Sequence, residues 1–193
     1  MTVNDRFLLL LSSPDEATYD VYDSPDIAHA FMIVTAYAFL SAFNSFLSAA
    51  IKSESFGFSF IAFLGAFITT YLTWAFLTFL FHFVADFWGG LGELMNAVTY
   101  VGFAAAPMAV ASIFSIFLTI IGPEILPDDP DQILPKISLG ISLIAMLWGW
   151  PGILCYFGLK NGERLHEAKA ITLCLVAFFA FAVFEVVNSN LFQ

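Results

Sequence analysis

Residues 82–107 read HFVADFWGGLGELMNAVTYVGFAAAP, and this stretch interrupts a chain that is otherwise strongly apolar. It contains one histidine, two acidic residues and three glycines within four positions: His82, Asp86, Glu93, Gly89, Gly90 and Gly92. Glycine and polar residues at this density end helices. The stretch therefore predicts a turn between two apolar helices, and a positive φ angle is expected at Gly90.

The composition around this turn excludes an ordinary soluble domain. Of 193 residues, 60% are hydrophobic and only 11% are charged, which is more apolar surface than one small core can hide. The apolar residues come in runs of about 20 or more, the length that a helix needs to cross a hydrocarbon layer of about 30 Å. We therefore expect an all-α, polytopic integral membrane protein.

Five membrane-spanning helices in one compact bundle are predicted within residues 27–193. An acidic segment, residues 1–26, precedes them, and its short apolar run at 7–11 either lies in the membrane interface or docks onto the bundle. Pro107 predicts a kink in the third span, and the Trp148–Gly152 stretch predicts one in the fourth. The spans cover about residues 27–51, 57–83, 97–121, 137–159 and 170–187.

The charge excludes one class of partner. The formal net charge is -10, with six basic residues against sixteen acidic ones, so a nucleic-acid surface is not expected. The two cysteines, Cys155 and Cys174, lie in apolar segments without paired spacing, which favours buried thiols over a disulfide. No motif for a cofactor is found, and none is predicted.

Orientation follows from the lysines and arginines. The N-terminal segment and the loops after the second and fourth spans share one side, which carries Arg6, Lys160, Arg164 and Lys169. The other side carries two, Lys52 and Lys136. We therefore expect the N-terminus in the cytoplasm and the C-terminus outside.

One loop invites a metal-site hypothesis. Residues 122–135 contain four prolines, and acids cluster at 124–131, so the segment is predicted to be solvated. Its carboxylates are hard oxygen ligands for cations, but they lack an ordered ligand spacing. A solvated run of charge is the preferred interpretation, with cation binding left open.

His82 and Asp86 are the main candidates for chemistry. Four residues apart, they share a helical face, where a carboxylate can orient an imidazole. The preferred interpretation is a structural hydrogen-bonded pair. The alternative is a catalytic or metal site, whose further ligands cannot be assigned among His29, His166 and Glu93. His29 and His166 are most simply solvent-facing, and no catalytic motif is present, so we do not expect an enzyme.

A second polar group lies along the spans. Asn44 in the first span is expected to point into the bundle, because an amide in lipid lacks partners. Asn96, Tyr100 and the break at Pro107 lie near the start of the third span. Together these residues suggest a polar cavity between helices.

Several short motifs resemble those of the Yip-domain family, the Ypt/Rab-interacting membrane proteins and their prokaryotic relatives. The resemblance runs from about Pro25 onward. The matching marks are the glycine turn, a Tyr-Val-Gly sequence followed by proline, a tryptophan ahead of Tyr-Phe-Gly-Leu, and Lys-Ala opening the last span: Gly89, Gly90, Gly92, Tyr100, Gly102, Pro107, Trp148, Tyr156, Gly158, Leu159, Lys169 and Ala170.

The resemblance implies a five-helix domain and, for eukaryotic members, a role in vesicle traffic through binding of prenylated Rab-type GTPases and of one another. The eukaryotic DLYGP-like motif has a loose counterpart in Asp20–Pro25, which has an added residue and no glycine. This departure argues against GTPase binding and favours the prokaryotic branch, in a cell membrane.

Three functions follow as hypotheses. The first is a noncatalytic scaffold or adaptor whose cytoplasmic face contacts other membrane proteins or a second copy. The second is a small-solute or ion permease that uses the polar cavity. The third is an intramembrane enzyme or metal protein that uses His82 and Asp86.

Overall fold

The computed structural model describes residues 3–51, 55–125 and 149–177. Within these ranges the chain is helical and contains no strand, which confirms the predicted all-α class. The helices are α1 Val3–Ser12, α2 Pro14–Thr18, α3 Ile27–Ile51, α4 Phe56–Phe87, α5 Leu94–Phe103, α6 Ala105–Ile125, α7 over residues 149–161 and α8 over residues 167–177.

Three helical stretches among the described residues are long and apolar enough to cross a membrane: Ile27–Ile51, Phe56–Phe87 and Leu94–Ile120. The predicted fourth and fifth spans fall partly outside the described residues, so the count of five spans stays a prediction. Of the acidic cluster at 124–131, only residues 124 and 125 are described, at the end of α6, and Trp148 also lies outside the described residues.

The first two spans, α3 and α4, lie close to their predicted positions. α3 has the predicted bounds, 27–51. α4 begins after Ser55, whose hydroxyl accepts a hydrogen bond from the Phe58 N–H at 3.3 Å, as helix N-caps do. It ends at Phe87, four residues beyond the predicted end, because only the glycines at 89 and 90 break it.

The third span consists of two helices. α5 and α6 are interrupted at Ala104, one turn before Pro107, whose ring removes the backbone hydrogen bond to residue 103. α5 begins at Leu94, three residues before the predicted start of the third span, with Glu93 as its N-cap residue. A change of helix direction at this break stays a prediction.

The N-terminal segment docks onto the bundle. Leu10, Ala17 and Val21 are buried in the main hydrophobic core. The Trp150 indole N–H donates to the Leu10 carbonyl at 2.9 Å, which joins α1 to α7. The docking alternative for the 7–11 run is therefore the one observed.

The core lies at one end of the long helices, where α3, α4 and α5 pack together. Tyr100 and Phe103 are its largest fully buried residues. By contrast, the most apolar window of α4 contains no buried residue. This leaves a phenylalanine-rich face of α4 directed away from the protein, as a lipid-facing helix requires.

Candidate functional site

The glycine turn has the hydrogen bonds of a Schellman helix end. The Gly89 N–H donates to Asp86 O at 2.9 Å, and the Gly90 N–H donates to Ala85 O at 2.8 Å. Gly89 has φ 86°, the left-handed conformation that this motif places after the C-cap. The positive φ therefore lies at Gly89 and not at Gly90, where the sequence prediction had put it.

The other two glycines are needed for space. A Cβ at Gly90 would lie 2.9 Å from Ala85 O, and one at Gly92 would lie 2.5 Å from both Gly162 O and Glu163 Oε2. Separations this short leave no room for a side chain. Gly90 fits closely against the end of its own helix, whereas Gly92 is required because another part of the chain lies against the turn.

That other part is the turn between α7 and α8, residues 162–166. The Leu91 N–H donates to Glu163 O at 2.8 Å. Arg164 follows with φ 51°, an uncommon conformation for a residue with a side chain. Its guanidinium lies 3.7 Å from the centre of the Tyr22 ring. Residues 88–93 are therefore bonded to α4 on one side and to residues 162–166 on the other.

Glu163 forms the centre of this contact. Its side chain has no exposed surface, and Oε1 lies 3.2 Å from His82 Nδ1. Oε2 has no partner at hydrogen-bond geometry, although the Gly92 N–H is close enough to favour the ionised form. Glu163 was not among the predicted site residues, because it lies in a loop between two apolar spans where His166 was expected to face solvent, and only the glycines at 158 and 162 signal close packing there.

Burial raises the pKa of Glu163 above its usual value, and repulsion from Asp86 adds to the rise. The hydrogen bond and charge of His82 and the Gly92 N–H act in the opposite direction. Desolvation of a carboxylate is the larger effect here.

His82 therefore has a different carboxylate partner from the one predicted. Its imidazole pairs with Glu163, 81 residues away in sequence, while Asp86 is exposed on the following turn of α4. Asp86 acts on the pair only through its charge. The spacing of four residues placed both side chains correctly on one helix but did not identify their partners.

Asn96 and Tyr100 lie close to Glu163 and His82, and we call these four residues the polar layer. Asn96 is 2% exposed, and its amide donates to Gly162 O at 2.9 Å and to Tyr22 O at 3.4 Å. Tyr100 is fully buried, with its ring against Gly158, where an added Cβ would lie 2.3 Å from Cγ. The tyrosine and the glycine that carried the family resemblance are therefore contact partners.

Gly102 allows a close helix crossing on the opposite side of α5. A Cβ there would lie 2.6 Å from the Ala30 Cβ of α3. Pro107 is buried in α6, outside the turn. Both residues position α5 and α6, and neither presents a polar group to the layer around Glu163.

Asn44 is separate from this layer. Its Nδ2 donates to Ser115 Oγ at 2.9 Å, and its Oδ1 accepts from the Thr119 hydroxyl at 2.9 Å. These bonds join α3 to α6 within the spans, so Asn44 points into the bundle as predicted. It does not meet Asn96 in one cavity.

The remaining histidines and cysteines have simpler surroundings. His29 pairs with Asp26 at the start of α3, and His166 is exposed, accepting a hydrogen bond from the Ala168 N–H at 3.4 Å. Cys155 and Cys174 are free thiols. The described residues contain no cluster of three or more metal-ligating side chains.

A cavity of about 670 Å³ lies between the spans, outside the polar layer. Its wall is mainly apolar, with hydroxyls from α3 and α4 and both thiols. Asn44, Asn96 and Tyr100 are not among the described residues that line it. Its polar lining residues are Tyr37, Ser41, Thr69, Thr70, Thr73 and Trp74.

Comparison with known proteins gives one match. The comparisons with curated proteins and with solved structures found no match. The family model of the Yip1 domain matches residues 8–187, a range that includes the glycine turn, the Tyr100–Gly158 contact and Glu163. With its apolar helices, the chain is therefore a membrane protein that belongs to the Yip1-domain family.

Proposed function

We propose that this protein is a noncatalytic membrane scaffold or adaptor, which contacts other membrane proteins or a second copy of itself through its polar end. The observation that carries the proposal is the joining of three distant segments into one surface. The N-terminal segment, the glycine turn and residues 160–169 are connected by side-chain and backbone hydrogen bonds, although more than 60 residues separate each from the next.

The connections use polar groups that an enzyme site would leave available. Asn96 is occupied by two carbonyls, and Asn161 bonds to Asp15 at 3.0 Å. Lys169 Nζ donates to Trp88 O at 2.7 Å. A layer in which these side chains hold the chain together supports a binding surface better than it supports catalysis.

The outer side of this layer mixes apolar and charged groups. Tyr19, Phe87 and Leu91 are 76%, 81% and 66% exposed, and Asp23 is 78% exposed beside Arg164. Aromatic residues with arginine are typical of protein interfaces. We name this exposed set the polar-end face.

Capture from native membranes in mild detergent tests the scaffold function. The full chain should recover a stable partner, and Tyr19→Ser with Leu91→Ser should lose it without loss of folding. Leu175→Ser is the matched control, since Leu175 is 63% exposed on α8 and away from this face. Recovery of the protein alone, or equal loss with the control, would contradict the proposal.

The proposed orientation places the polar-end face in the cytoplasm of a prokaryotic cell and the C-terminus outside. The predicted lysine and arginine bias supports it, because three of the four basic residues on that side lie at 160–169. A cysteine introduced at Asp15 in a cysteine-free chain should resist a membrane-impermeant maleimide in intact cells and react after lysis. Reaction in intact cells would reverse the orientation.

A second candidate function is a small-solute permease, favoured by the cavity of about 670 Å³ beside the α5–α6 break. Ala104 and Met108, on either side of Pro107, line it together with Thr73. If the cavity conducts, Thr73→Leu should block flux of a small neutral solute into proteoliposomes, and Asn44→Leu should not. Flux that neither change affects would remove this candidate.

A further inference from the structure

Glu163 differs from the other acidic and basic side chains of the described residues. Its side chain has no exposed surface, and it is the only charged residue type among the buried positions described. Carboxylates are almost never fully buried unless they are paired and hydrogen-bonded. Here only one of the two oxygens, Oε1, has a hydrogen-bond partner.

The space around the second oxygen explains why the glycine turn depends on this side chain. Oε2 lies 2.5 Å from the position that a Cβ of Gly92 would take. The backbone of Glu163 accepts from Leu91 N–H in the same contact. The main chain of Glu163 therefore bonds to the turn, and its side chain packs against Gly92.

The groups facing Glu163 come from several elements. α4 contributes His82, which favours the ionised carboxylate, and Asp86, which opposes it; the glycine turn contributes the Gly92 N–H. α5 contributes the buried Tyr100, whose hydroxyl has no partner. In the neighbouring N-terminal segment, Asp23 is paired with Arg164 at 3.6 Å.

We propose that Glu163 is a proton-binding site that makes the contact between the glycine turn and residues 162–166 depend on pH. The contact is tightest when Glu163 carries a proton and loosens when it ionises. An ionised Oε2 without a full hydrogen bond needs water, which can reach it only by opening the turn.

The proton has a short route to solvent. His82 is 25% exposed and touches the buried carboxyl group through Nδ1. When Glu163 ionises, its proton leaves to water past the partly exposed imidazole, and a proton returns by the same way when the carboxylate binds one, so charge and protons balance without another reactant.

The direction of the pH effect follows from the raised pKa of Glu163. For a carboxyl group with a raised folded-state pKa, the stabilisation is complete below the unfolded-state pKa. It is lost as the pH rises through the folded-state pKa. The inference concerns the contact itself and holds whether or not the polar-end face binds a partner.

Infrared difference spectra of the full chain in lipid nanodiscs test proton binding directly. The carbonyl band of a protonated, buried carboxylic acid should disappear as the pH rises, and Glu163→Gln should lack it. Asp86→Asn should move the midpoint to lower pH, and His82→Asn should move it to higher pH, because each removes a charge that acts on Glu163. Glu93→Gln, at an exposed position beside the same turn, should leave the midpoint unchanged.

Hydrogen exchange at Leu91 tests the coupling to the turn. At low pH the amide should be equally protected in the wild type and Glu163→Gln. Above the infrared midpoint the protection factor of this amide should fall in the wild type only. A band that survives Glu163→Gln, a midpoint that neither Asp86→Asn nor His82→Asn moves, or equal Leu91 exchange at every pH would overturn the inference.

Discussion

Glycines occur both at the glycine-rich polar end and on the outer face of α4, but only at the polar end do other atoms crowd them. At the polar end, a Cβ on Gly92 or Gly158 would meet atoms at 2.5 Å or less. On α4, Gly57 and Gly65 have nothing within 4 Å, and large side chains such as Phe76 and Phe83 are exposed. Gly92 and Gly158 are therefore required for space where two chain segments meet, Gly89 is required for its positive φ, and Gly57 and Gly65 have neither requirement.

The physical reason is the solvent. Lipid tails are as apolar as phenylalanine, so burying the α4 face against protein would bring little free energy. Hydrogen bonds and close packing at the helix ends can still distinguish one arrangement from another. The specificity of the fold is therefore concentrated at the polar end.

Gly158→Ala should give the largest effect in this comparison. The new Cβ would lie 2.3 Å from Tyr100 Cγ, and neither the buried ring nor α7 can move away freely, so we expect a loss of about 3 kcal/mol. Thermal unfolding in detergent micelles measures it. An unchanged melting temperature would show that the polar end is as tolerant as the outer face of α4.

Asn96→Leu should come next, with a loss of about 2 kcal/mol, because the Gly162 and Tyr22 carbonyls lose their shared donor. Its effect should also appear as faster proteolysis of the N-terminal segment. Loss of stability with an unchanged cleavage rate would mean that Asn96 does not hold that segment in place.

Asn44→Leu tests whether a polar contact within the spans is weaker than one at the polar end. It removes the bonds to Ser115 and Thr119, and such bonds within membranes contribute about 1 kcal/mol. We expect a smaller loss than for Asn96→Leu in the same unfolding measurement. An equal or larger loss would place part of the specificity within the spans.

Gly65→Ala should have the smallest effect and the opposite sign. The site is open, and alanine is favoured over glycine inside a helix by roughly 0.5–1 kcal/mol. The melting temperature should stay the same or rise. A fall comparable to that of Gly158→Ala would indicate that this face of α4 contacts protein.

Some of the site was predictable and some was not. The glycine turn follows from residues 89–92 alone, because three glycines within four positions mark a turn. The partner of His82 does not follow, because Glu163 lies 81 residues away in a loop whose composition is that of an exposed segment. Its burial depends on the turn at 88–93 docking there.

The sequence by itself determined that the chain is helical and membrane-bound, where α3 lies, and where the turn after α4 falls, since run length and glycine content respond to lipid and to local backbone preference. Only the tertiary structure decided that Gly89 has the positive φ, that Gly92 and Gly158 are needed for space, that the N-terminal segment docks, and that Glu163 is buried against His82. These features depend on contacts between residues far apart in sequence, which no local pattern encodes.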